Sequence, residues 1–137
     1  MGLDDRSIQA FLATKEVAVL ATVQADGSPL AMAMWFLHAP ASLTMISVAD
    51  TQKVRNLRRD PRVSVVAEAV TAAGEIRGVA VQGRAEFLPD GPERRALIDR
   101  FHEKYRGLQR LWNGKAMPAN RVMFTIAPSR VRSWGLG

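Results

Sequence analysis

Residues 16–38, EVAVLATVQADGSPLAMAMWFLH, restrict the fold more than any other stretch. Val17, Val19, Ala21 and Val23 alternate with Ala18, Leu20, Thr22 and Gln24. An extended chain therefore carries apolar side chains on both faces. Asp26-Gly27 is a tight-turn signal, and a second apolar run from about Pro29 to Leu37 follows it. Two strands joined this closely pair antiparallel, and both of their faces need cover.

The rest of the chain repeats the pattern with short interruptions. An opening helix spans Asp4 to Ala13, with Ile8, Phe11 and Leu12 at helical spacing and Asp4 or Asp5 as its cap. A turn over residues 39–42 leads to a third strand, LTMISV. A short helix follows, capped by Asp50 or Thr51 and ended by Asp60-Pro61, because a residue before proline avoids the helical region. RVSVVAE and EIRGVAVQGRAEFL alternate as two further strands. Pro92 opens another helix with Leu97, Ile98, Phe101 and Tyr105 on one stripe. RVMFTIAPSRVRSW is a last strand, bent at Pro128. This order predicts one domain over residues 1–137, mainly β with flanking helices. Sequential antiparallel strands with two apolar faces suit a small barrel, with one face covered by a second copy of the chain.

Charge and composition narrow the function. No cysteine is present, which excludes thiolate chemistry and disulfides. The start, MGLDDRSIQAF, has two acids and no long apolar run, so the expectation is a cytoplasmic protein without a membrane span. The net charge of +6 suits an anionic ligand, and no zinc-finger spacing or continuous basic helix favours nucleic acid. His38 and His102 lack partners at metal-ligand spacing, so no metal site is expected. Neither a Walker loop nor a nucleophile–base constellation is present, so no catalytic side chain is assigned. Reactions carried by a bound redox cofactor need none.

The stretch DTQKVRNLRRDPRVSV, residues 50–65, concentrates positive charge at a short helix between two strands. Lys53 and Asn56 lie three apart on one face of that helix, opposite Val54 and Leu57. A helix start presents free N–H groups and the positive end of its dipole, which suits an anion. Lys53 adds a point charge and Thr51 a hydroxyl. The alternative for Lys53 and for Arg55, Arg58 and Arg59 is a solvated face.

In LATVQADGSPLAMAMWF, TQKVRNLRRDPRVSV, VAVQGRAEF and RVMFTIAPSRVRSW, the chain resembles the pyridoxamine 5'-phosphate oxidase-like split-barrel family over nearly its whole length. The second and fourth segments look most like the branch that uses the deazaflavin coenzyme F-420. The resemblance implies a six-stranded antiparallel split β-barrel of the FMN-binding type, usually a homodimer, with the flavin or deazaflavin in a groove at the dimer interface. It also implies that Thr51, Gln52, Lys53 and Asn56 meet the cofactor phosphate. Met32, Ala33, Met34 and Trp35, with Ile46, Ser47 and Val48, would line its ring system.

Two departures from the family are visible. Met32 and Leu37 stand near positions where flavin-using oxidases often place Arg or Lys, which argues against pyridoxamine-phosphate oxidation itself. Asp50 precedes the phosphate loop and would repel a phosphate unless turned away. The expected function is an oxidoreductase passing a hydride from F-420 to a small unsaturated or quinone-like molecule. The alternatives are an FMN-dependent oxidoreductase of the same fold, or a non-catalytic flavin or haem carrier. The preference for F-420 rests on arginines spread along the chain, at Arg55, Arg58, Arg59, Arg62, Arg94, Arg95, Arg130 and Arg132, which suit a long anionic tail.

Overall fold

The computed structural model describes residues 2–136. Its elements run α1 (Arg6–Ala13), β1 (Val17–Val23), β2 (Pro29–Trp35), β3 (Leu37–His38), β4 (Leu43–Val48), α2 (Gln52–Arg59), β5 (Arg62–Val70), β6 (Ile76–Phe87), α3 (Pro92–Lys104), α4 (Leu108–Trp112) and β7 (Arg121–Trp134). The strands form one antiparallel sheet in the order β2-β1-β5-β6-β7-β4-β3. The sheet curls until β2 lies against β4, which gives a split β-barrel.

The alternation of residues 17–23 decides which side chains enter the barrel. Ala18 and Leu20 point inward with Val63, Val65, Val79, Val81, Met45, Phe124 and Ile126, all buried. Each fully buried side chain of this size contributes roughly 1.5–3 kcal/mol. Helix α1 is capped by Asp5, whose Oδ1 accepts from the Ser7 N–H at 2.9 Å and the Ile8 N–H at 3.2 Å. Ile8 and Leu12 then dock on the barrel core. The bend expected at Pro128 is a register shift opposite Gln82 and Gly83. A Cβ at Gly83 would overlap the Ala127 carbonyl, so the strands approach this closely only because that position has no side chain.

The outer face divides in two. Over β4 and the first half of β7 it is covered by α3 and α4, which form a second small core of Leu37, Phe101, Tyr105, Leu108 and Met123. Over β2, β1, β5 and β6 it is bare. Val17 lies opposite Trp35, and Val19 sits in a row with Ala33 and Val66. The row continues through Ala80 to Arg132. Val17, Val19 and Trp35 are each more than two-fifths exposed.

The seventh strand and α4 were not anticipated, and one residue accounts for the first of them. The Tyr105 hydroxyl accepts from the Phe36 N–H at 2.9 Å and donates to the Glu16 carbonyl at 2.7 Å. Phe36 is thereby taken out of the ladder, and the expected strand from Pro29 to Leu37 splits into β2 and the two-residue β3. Lys104 donates to the Phe36 carbonyl at 2.7 Å and sits 3.9 Å over the Phe36 ring. Burial drives the Lys104 pKa down to about 8; the nearby Glu16 charge opposes this and Arg100 adds to it.

Tyr105→Phe keeps the ring and removes the hydroxyl, leaving the buried Phe36 N–H without an acceptor. It is expected to cost about 1–3 kcal/mol in urea denaturation. A loss below about 0.5 kcal/mol, the level of an ordinary surface change, would show that the hydroxyl does not set this strand break.

Candidate functional site

The border between the covered and the bare outer face holds a cavity of about 290 Å³. Strand alternation supplies its floor from Ile46 and Val48 of β4 and Ala33 and Trp35 of β2. Met34 and Ser47 also line it, Phe101 comes from α3, and Leu108, Leu111 and Trp112 close it from α4. Its walls are thus mainly apolar. Two cations enter, Lys53 from α2 and Arg121 from the start of β7.

Lys53 is 9% exposed. No side-chain hydrogen bond or ion pair of Lys53 exists among the described residues. Burial pushes its pKa below the ordinary 10.5. A partly desolvated ammonium with no counter-charge carries a cost that an anion in the cavity would reduce. Arg121 donates through Nη1 to Asn120 Oδ1 at 2.7 Å, and no carboxylate pairs with it among the described residues.

Helix α2 holds Lys53 in place through a buried polar bond. Asn56, with no exposed surface, donates through Nδ2 to Thr22 Oγ1 on β1 at 3.0 Å. Its Oδ1 accepts from Gln52 Nε2 at 2.8 Å. Val54 and Leu57 anchor the same helix in the interior. Thr51 stands at the N-cap but makes no capping bond; its hydroxyl donates to the Val48 carbonyl at 3.1 Å. The α2 N-terminus is therefore not capped by a side chain. Asp50 turns to Arg55 at 2.8 Å, which holds its charge in an ion pair instead of toward the helix start.

Of the residues singled out from the sequence, Ala33, Met34, Trp35, Ile46, Ser47, Val48 and Lys53 share this cavity. Met32 lies opposite Leu20 on the edge strand and is 42% exposed. Met32, Thr51, Gln52 and Asn56 do not line the cavity. Arg121 and the four residues from α3 and α4 were missed. Arg121 carries no local motif, and α4 has only five residues, too few for a periodic signal. Trp35 is fixed by stacking on Tyr105 at 4.3 Å with the rings 4° from parallel. Trp112 meets His102 edge-on at 5.3 Å, and His102 bonds through Nε2 to the Lys115 carbonyl at 2.9 Å.

Six of the eight arginines expected to follow a long anion are engaged elsewhere, Arg130 and Arg132 being the exceptions. Arg55 pairs with Asp50, Arg62 with Asp60 at 2.7 Å, and Arg95 with Asp90 at 3.4 Å. Arg58 lies 4.4 Å over the Phe87 ring, and Arg59 donates to the Val23 carbonyl. Arg94 reaches the Leu88 carbonyl at 3.5 Å.

A family model described as pyridoxamine 5'-phosphate oxidase matches residues 5–135. Among solved structures, a conserved hypothetical protein, Rv2991, of Mycobacterium tuberculosis is 29% identical with a TM-score of 0.81, over 96% of this chain and 84% of that one. An FAD-binding protein of Mesorhizobium loti is 26% identical with a TM-score of 0.75, over 89% of this chain and 85% of that one. An F420 reductase is 26% identical with a TM-score of 0.62, over 85% and 88%.

The lowered Lys53 pKa fixes the sign of a stability effect. Between the folded value and 10.5 the unfolded chain still holds a proton that the folded chain has released. Stability from this group therefore rises with pH through that window, and the penalty is complete below it. Lys53→Met is expected to raise the Tm of the ligand-free protein at pH 7 and to flatten this rise. A Tm that falls by several degrees on substitution would mean that the ammonium has a partner within the fold.

Proposed function

The chain belongs to the pyridoxamine 5'-phosphate oxidase family, and on that premise we propose that its cavity holds a flavin-type cofactor for hydride transfer, FMN being the first candidate. The observation that carries this reading is the nearly buried, unpaired Lys53 ammonium opening into a mainly apolar cavity. A phosphorylated planar ring meets both requirements, since its phosphate matches the cation and its ring the walls. Lys53 and Arg121 would hold the phosphate, with the uncapped α2 N-terminus beside Lys53 adding N–H groups. Trp35, Ile46, Val48 and Trp112 would take the ring and keep water out. When bound, the flavin supplies the hydride chemistry itself. The chain's part is to bind, orient and dry the site.

Two cations converging on one small cavity suit a compact terminal phosphate. That favours FMN over a cofactor whose charge runs along a tail, because the arginines nearest α2 are already engaged. F-420 is the second reading. It is supported by the 26% identical F420 reductase and by Arg106 and Arg110 beside α4, which have no ion pair among the described residues. In either case the electrons would pass to a small unsaturated or quinone-like acceptor.

The bare outer face leads to the proposal of a homodimer. Val17, Val19, Ala33 and Trp35 form an exposed apolar patch at the cavity's border, and a second copy laid against it would bury that patch and narrow the opening.

The test is a titration of the purified protein with FMN and with F-420, followed by the visible spectrum and fluorescence. The parent is expected to bind FMN more tightly. Lys53→Met and Arg121→Gln are each expected to weaken it by about 10- to 100-fold, the range for losing a charge-assisted hydrogen bond of roughly 1.5–3 kcal/mol. Binding of F-420 with FMN excluded would move the assignment to the second reading. Equal FMN affinity in parent and Lys53→Met would overturn the site. Sedimentation at micromolar concentration is expected to give a dimer, and a monomer would overturn the proposed interface.

A further inference from the structure

Five polar or charged side chains are buried among the described residues: Thr22, Thr44, Ser47, Lys53 and Asn56. Thr22 and Asn56 bond to each other, and the Ser47 hydroxyl donates to the Val48 carbonyl at 3.0 Å. The two left without a partner are Lys53 and Thr44, and each lines a cavity. Thr44 is 3% exposed. The Thr44 hydroxyl has no protein partner among the described residues and opens onto its cavity, where a bound molecule can take it.

From this second cavity we propose that the chain binds a small amino or hydroxy acid between α3 and the β3–β4 hairpin, apart from the cavity at Lys53. The space is about 280 Å³. Thr44 lies in a cross-strand row between Leu37 of β3 and Thr125 of β7, on the face that α3 covers. The same outer face of β4 therefore carries both cavities, Thr44 at one end and Ile46 and Val48 at the other. Leu37, Phe101 and Met123 pack between the two ends.

The lining groups select the ligand's chemistry. Among the described residues, Arg100 is the one cation lining this cavity. It spends one Nη2 bond on the His38 carbonyl at 3.0 Å, and its remaining N–H groups suit a carboxylate. Glu93 has no partner among the described residues and accepts from a hydroxyl or an ammonium. His38 adds a second acceptor. Gln9 Nε2 donates to the Leu3 and Ala39 carbonyls, so its Oε1 faces His38 Nδ1 at 2.9 Å and Nδ1 carries the proton. Burial, then the charges of Lys104 and Arg100, keep the His38 pKa below 6.5, leaving Nε2 an unprotonated acceptor at neutral pH. The hydroxyls of Ser42, Thr44 and Thr125 both donate and accept. Leu37 and Leu97 offer apolar surface for a short carbon skeleton.

The test uses the full chain, 15N-labelled, with L-malate, L-glutamate and 4-aminobutyrate as probes. At least one is expected to shift the backbone amides of Ser42, Thr44 and Thr125 in a saturable way and to leave those of Ser47 and Lys53 unmoved. Thr44→Val preserves shape and removes only the hydroxyl. It is expected to fold with an equal or higher Tm and to weaken the probe at least fivefold, as Arg100→Gln should. The proposal is overturned if no probe moves these amides at millimolar concentration, or if both variants bind as the parent does. It is also overturned if Thr44→Val lowers the Tm by several degrees, because the hydroxyl would then have an internal partner.

Discussion

A sheet whose strands β1, β2 and β4 are apolar on both faces governs this molecule. Its inner face closes around Leu20, Val65, Val81 and Phe124, with Ile8 and Leu12 of α1 and Leu57 of α2 completing that core. Its outer face has too little helix to cover it. Helices α3 and α4 screen β4 and part of β7 and leave β1, β2, β5 and β6 open. The proposed cofactor cavity lies where this cover ends, with strand side chains for a floor and α4 for a rim. The site is thus a consequence of incomplete cover on a two-faced sheet, not a separate construction.

Charge then sets what that cavity suits. Asn56 fixes α2 to β1 through Thr22, and this bond carries Lys53 to the cavity wall. Asp50, next to the helix start, pairs with Arg55, and no carboxylate pairs with the ammonium among the described residues. The fold accepts an unpaired buried cation at one point while satisfying the polar groups around it. Such a local cost is expected where a ligand, and not the fold, completes the electrostatics. Thr44 repeats the pattern in neutral form at the other end of β4.

The barrel was legible because its signals are local and periodic. Strand alternation, the Asp26-Gly27 turn, the Asp60-Pro61 stop and the Pro92 start each act within a few residues, and the elements stand where those signals set them. The split of the second strand was not legible, because it depends on Tyr105, 69 residues away in sequence from Phe36. The site divided in the same way. Strand residues Ala33, Trp35, Ile46 and Val48 share a cavity floor, while Arg121 and Trp112 arrive only through the path of the chain. Asn56 sat at the right spacing from Lys53 but on a face turned to β1, since residues three apart on a helix differ enough in direction to meet different neighbours. Pairing also decided the arginines: charge counts along the sequence do not reveal that Arg55, Arg62 and Arg95 each hold a nearby aspartate.

The central claim is that Lys53 waits for a phosphate, and its own titration tests this most directly. With 13C-labelled lysine, the Lys53 Cε shift followed against pH is expected to show a midpoint below 10.5 in the free protein. Saturation with FMN should move that midpoint upward, because an adjacent anion favours the charged form. A midpoint unchanged by FMN that demonstrably binds would contradict the account and place the phosphate elsewhere.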